Sequence, residues 1–173
     1  LEDVLRPPRA RGLDEAAVSK VHARPVTCPA CGHEGVARLF ESLNGDRIPA
    51  QAEDVCAGTF EQQTCPACDS SFRPEHTMLY SQMSARIWVV MHPPADRARY
   101  ALIERGVELV MQRNFAAAPP LVAEGLRGAR PRLVFGQAML TEALRVYRAG
   151  FSPPRLECAK LLALRRNLGE LVS

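Results

Sequence analysis

The chain has no apolar run approaching the ~20 residues needed to cross a bilayer. Its longest candidate, IWVVM at residues 87–91, is the length of a strand. Missing too is the basic start followed by a long apolar stretch that marks a secretory leader. Lysine is nearly absent: Lys20 and Lys160 are the only two, so arginine carries almost all the positive charge. The net charge is a mild +3 spread along the chain, which argues against a dedicated nucleic-acid surface. Aromatic residues are only 6% of the sequence, and few lie where stacking on bases would need them. Six cysteines in 173 residues are too few for a disulfide-dense scaffold. With no export signal, the expected location is the cytoplasm, and the thiols are available for other uses.

The composition is that of a folded protein. Hydrophobic residues make up 47% and charged residues 24%, so wholesale disorder is not expected. The length suits one domain, or a small metal module joined to a helical one. Eight of the fourteen prolines fall in pairs at 7–8, 93–94, 119–120 and 153–154, where they punctuate the elements.

The pentapeptide TCPAC occurs twice, at residues 27–31 and 64–68. A CxxC turn sets two sulfurs on one side of an ion. Proline after the first cysteine presets φ for the bend, and a small residue, Ala30 or Ala67, avoids crowding. Gly32 can take the positive φ that completes the loop. Two such turns supply the four thiolates a tetrahedral ion takes, so Cys28, Cys31, Cys65 and Cys68 are the candidate metal ligands. The 33 residues between Cys31 and Cys65 hold a strand, a helix and a returning strand, which is the construction of a zinc ribbon. Zinc is the expected ion; iron in a rubredoxin-like site uses the same ligands. The competing use of CxxC is thiol redox chemistry, where the first cysteine opens a helix. Here GHEG follows one copy and DSSF the other, and neither opens a helix. His33 and Gly32 are candidates for supporting the site from outside the ligand set.

The remaining pattern reads as α+β. Residues 36–43 alternate as a strand before the turn signal at 44–45, and 49–58 suit a short helix with proline at its start and glycine at its end. Residues 59–64 lead back as a strand into the second TCPAC. Residues 77–82 and 85–92 form a hairpin with only Met83 and Ser84 between the strands. From residue 95 the period becomes helical. One helix spans 95–114 with Leu102, Ile103, Gly106, Val107, Val110 and Asn114 on its apolar stripe. A second spans 136–150, its stripe made of Leu140, Leu144, Tyr147 and Phe151, and a third spans 152–169. The segment 13–23 is a short helical candidate. The expected fold is a zinc-ribbon, rubredoxin-like β-rich N-terminal half packed on a C-terminal α-helical half.

Cys56 and Cys158 read as small buried side chains. His22, His76 and His92 are scattered, and Asp46, Asp54, Glu61 and Glu75 form no recognisable acid/base pair. Arg127, Arg130 and Arg132 make a local basic turn, either a partner-binding patch or a solvated loop.

The two CPAC motifs, the segment ESLN, the hairpin ending in MHPP, and RLVFGQAMLTEALRVYRAGF followed by RLECAK resemble the CpXC domain proteins of bacteria and archaea. The resemblance covers about residues 26–168. It implies metal binding at Cys28, Cys31, Cys65 and Cys68 and a shared fold, but no reaction. One departure is SPPR at 152–155, where an acidic stretch is expected. The chain divides accordingly into an arm at 1–25, a ribbon with hairpin at 26–94, a helical part at 95–168 and a tail at 169–173. The leading expectation is a non-catalytic zinc protein, an adaptor or regulator with a protein partner. The alternative is a nucleic-acid-binding zinc ribbon, ahead of thiol redox or metal-dependent catalysis. Four cysteines would close the shell that a catalytic ion leaves open.

Overall fold

The second long strand sets the architecture, because its side chains feed two separate cores. In the computed structural model, which describes residues 19–116, 120, 124, 131–151, 155 and 158–165, Lys20–Thr27 (β1) pairs antiparallel with Glu34–Asn44 (β2). Ala37 and Leu39 point to one face of β2 and join Val26 in a small cluster; Phe40 points to the other and joins the main core. Strict alternation would then turn Leu43 away from Phe40. A bulge prevents this: Lys20 pairs with Ser42 but Val21 with Phe40, so Glu41 is the extra residue and Leu43 returns to the face of Phe40.

Pro49–Ala57 (α1) follows a turn in which the Asn44 side-chain oxygen accepts the amides of Asp46 and Arg47. Pro49 starts the helix and Gly58 ends it at φ 83°, donating to the carbonyls of Asp54 and Val55. Gly45 in the turn is required by packing: a Cβ there would sit 2.3 Å from the Tyr80 hydroxyl. The short strands Gln63–Thr64 (β3) and Ser71–Phe72 (β4) make a separate hairpin. Met78–Gln82 (β5) and Ile87–His92 (β6) pair antiparallel, and Ile87, Val89 and Met91 turn inward by the period of two.

After a 3-10 segment at Pro94–Arg99 comes Tyr100–Ala116 (α2). Arg132–Phe135 (β7) then pairs parallel with β6, and Gln137–Arg148 (α3) follows directly. The sheet order is β1-β2-β5-β6-β7. Helices α1 and α3 cover one face, with Tyr80, Phe60, Met91, Leu140 and Leu144 almost wholly buried between. Helix α3 also caps α1: Thr141 Oγ1 donates to the Val55 carbonyl at 2.9 Å and Arg145 Nε to the Cys56 carbonyl at 2.6 Å.

The α+β reading holds, with the sheet drawn mainly from the N-terminal half and helices later. Several details differ. Residues 20–23, expected in a helix and in the arm, belong to β1, because pairing with β2 outweighs their local preference; residues 13–18 lie outside the described ones. β7 carries the sheet across the division at 94 and 95, and Arg132 heads this strand where a basic turn was expected. Strand character before the second TCPAC is confined to Gln63–Thr64. The β5–β6 connection spans four residues, 83–86, and Arg86 takes φ 53°. In α2 the stripe is rotated: Met111 is buried with Ile103 and Val107 half-buried, while Leu102 and Val110 are exposed. Apolar residues surround so much of this helix that period alone leaves its inward face undetermined. Along α3, Leu140 and Leu144 are buried, but Phe151 past its end is 59% exposed. The third expected helix is helical at Arg155 and at 158–165; its other residues and the tail at 169–173 lie outside the described residues.

Candidate metal centre

Each TCPAC occupies the tip of a β-hairpin, and the two tips are built alike. Thr27 pairs with Glu34 across the first and Thr64 with Ser71 across the second, seven positions apart in both cases (34 − 27 and 71 − 64). The Cys28 amide donates to the His33 carbonyl at 2.8 Å, and the Cys65 amide to the Ser70 carbonyl at 3.0 Å. The Gly32 amide donates to the Cys28 carbonyl and the Asp69 amide to the Cys65 carbonyl, both at 2.9 Å. Both donors have left-handed backbones, Gly32 at φ 75° and Asp69 at φ 56°. Aspartate tolerates this region better than most residues, so the second copy manages without glycine.

The equivalence extends to the sulfurs. Cys28 and Cys65 are buried, Cys31 and Cys68 exposed. All four sulfurs lie within 4.8 Å of one another, with Cys28 and Cys68 at 3.8 Å and Cys31 and Cys65 at 3.6 Å. Four thiolates about 2.3 Å from a central ion lie about 3.8 Å apart at the corners of a tetrahedron. A disulfide would require about 2.0 Å. The spacing and the all-sulfur donor set therefore fit one thiophilic ion. Among the described residues, these four are the one group of histidine, cysteine and carboxylate side chains arranged to hold a metal.

The thiols divide electrostatically when no cation is present. The Ser70 hydroxyl and amide beside Cys68, helped by Cys31 and Cys65, bring its thiol down to about 6. At Cys31 the His33 amide pulls downward, but neighbouring Cys68, burial and the other thiols push it up to about 12. A thiolate on one sulfur thus opposes a second one beside it, and a central cation removes that opposition.

Gly32 completes the first turn, and His33 supports the site through its backbone: its carbonyl meets the Cys28 amide and its amide bears on Cys31. Its imidazole Nε2 is buried without a hydrogen-bond partner. Ser70, the counterpart of His33, was not singled out by the sequence reading, although its place two residues after the second cysteine marks it. Arg127 and Arg130 lie outside the described residues. Cys56 is half-buried against the main core, but Cys158 is exposed, contrary to expectation.

The structure also assembles a polar cluster that the sequence does not announce. The Glu61 carboxylate accepts the Phe40 amide at 2.6 Å and the Gln137 Nε2 at 3.1 Å, and lies 2.6 Å from His76 Nε2. Glu61 is 3% and His76 8% exposed. His76 Nδ1 faces the Thr77 carbonyl at 3.1 Å, so both ring nitrogens are engaged. Glu75 accepts the Gln137 amide at the start of α3. Four residues before Cys65, Glu61 ties the second hairpin to β2, to His76 just ahead of β5, and to α3.

The sequence profile of the CpXC protein family matches residues 26–160, most of the chain. The chain belongs to the CpXC family. Both cysteine pairs of this CpXC protein lie within the matched span. No curated protein and no solved structure matches it.

Proposed function

We propose that this CpXC protein is a non-catalytic zinc protein: a zinc ribbon whose ion holds two hairpins in place so that the body can serve as an adaptor or regulatory surface for a protein partner. The observation that carries the reading is the pair of equivalent hairpins whose sulfurs have tetrahedral spacing. Cys28, Cys31, Cys65 and Cys68 would hold the ion, which supplies cross-linking free energy when bound. Structural zinc contributes about 10–16 kcal/mol to such sites. Four thiolates complete a tetrahedral shell and leave no place for a substrate water, which supports a structural role over a Lewis-acid one. Neither CxxC opens a helix, which weighs against thiol redox catalysis. Unbridged thiols suit a reducing, cytoplasmic setting.

The test is metal analysis of the purified protein with absorption spectroscopy after cobalt substitution. One zinc per chain and a tetrahedral four-thiolate spectrum are expected. Iron as the native ion, or three thiolates with an exchangeable water, would contradict the reading.

A further inference from the structure

On the sheet face opposite α1 and α3, a groove runs beside β1. A cavity of about 540 Å³ lies over Leu79 and Val90, walled by Lys20 and Arg24. A second, of about 370 Å³, lies over Leu39 between Arg24 and Glu75 and reaches Thr27, next to the first metal ligand. Arg24 lines both, so the two cavities adjoin along β1 and make one track.

The track has a directional charge pattern. Lys20 and Arg24 are exposed, and among the described residues neither side chain has an ion-pair partner. The carboxylates bordering it are already engaged: Glu41 with His22 at 2.9 Å, and Glu75 with the Gln137 amide at 3.1 Å. Two unpaired cations therefore overlook an apolar floor. Four residues apart on a strand, they are separated by about 14 Å, the same distance an extended peptide places between its own side chains four apart.

We propose that this groove binds an extended acidic segment of a partner protein, with carboxylates meeting Lys20 and Arg24 and apolar side chains lying over the half-buried Leu79 and Val90. This names a partner class for the adaptor reading and rests on it. A nucleic-acid strand is the poorer fit: no phenylalanine, tyrosine or tryptophan lines the track for base stacking. An extended peptide gains instead from its apolar alternate side chains.

The test is fluorescence anisotropy of the intact, metal-loaded protein with three labelled probes: a peptide of alternating glutamate and valine, one of alternating lysine and valine, and an oligothymidylate. The acidic peptide should bind preferentially and weaken as salt is raised. The double variant Lys20→Glu, Arg24→Glu should lose affinity for it about tenfold or more and gain affinity for the lysine peptide. Both positions are exposed, and unchanged metal content will show that the variant is folded; if it does not fold, the salt dependence and probe preference of the wild type decide. Equal binding of the two peptides, salt-independent binding, an unaltered folded variant or preference for oligothymidylate would overturn the proposal. A protein that holds its metal but binds none of the probes loses the groove and keeps the zinc scaffold. One that binds the acidic peptide but keeps both hairpins ordered without metal keeps the groove and loses the scaffold.

Discussion

The body of the molecule and its cysteine-bearing end differ sharply in apolar packing. Under α1 and α3 the body buries fourteen side chains in one cluster, whereas Val26, Ala37 and Leu39 are the buried members of the cluster beneath the hairpin tips, with Phe72 laid on them. At about 1.5–3 kcal/mol for each large apolar side chain buried, the body can offset the entropy of ordering its strands and helices. The cysteine end cannot, since β3 and β4 have two residues each and such a hairpin is unstable alone. The contrast supports the role proposed for the four sulfurs, in which a single ion ties the second hairpin to the first where apolar packing is thin.

The largest effect should come from the ion's own ligands. Cys65→Ser places a poorer ligand at a wholly buried position and should forfeit most of the ~10 kcal/mol available to a structural site. Metal analysis should show a strongly reduced zinc content, while far-ultraviolet circular dichroism retains the signal of the body. Loss of both together would erase the distinction between the two regions.

Glu61→Ala attacks the joint between them. It leaves His76 and the Phe40 amide buried without their shared acceptor, and should cost about 4 kcal/mol in chemical denaturation. It should also weaken metal retention, because Glu61 leads into β3 and Cys65. A change in stability with metal retention untouched would show that the cluster belongs to the body alone.

Leu140→Ala works on the body side. Leu140 is fully buried, so the cavity should cost about 3 kcal/mol, with zinc affinity of the folded protein unchanged.

The smallest effect is expected at Asp46. Burial raises its carboxyl, but the Ser84 hydroxyl and the amides of Ser84 and Met83 outweigh that and hold it below the ordinary 3.8. Its contribution is therefore fully present above about pH 4 and fades as pH falls toward the depressed native value. Asp46→Asn should lower stability by about 1 kcal/mol near neutrality and flatten that acid-side slope in pH-dependent thermal melts.

Features written in local signals were readable in the sequence. Spacing and turn chemistry identified the four cysteines, and Pro49 and Gly58 bracketed α1 as expected. Features depending on distant partners were not. β1 is a strand because β2 lies beside it, and β7 joins β6 in parallel across a long connection, which no period within either segment reveals. Glu61, His76 and Gln137 meet only after the sheet and α3 are assembled, and nothing in their sequence spacing signals it. Asp69 shows a local signal that was present but unused: it stands where Gly32 stands in the first copy and adopts the same left-handed backbone.

The most direct test of the central claim is amide hydrogen exchange of the metal-loaded protein against the chelated one. If one ion holds two hairpins that the core cannot, the amides of Cys28, Gly32, Cys65 and Asp69 will lose protection on chelation while those of β5 and β6 keep theirs. Equal protection of the four turn amides with and without metal would contradict the account.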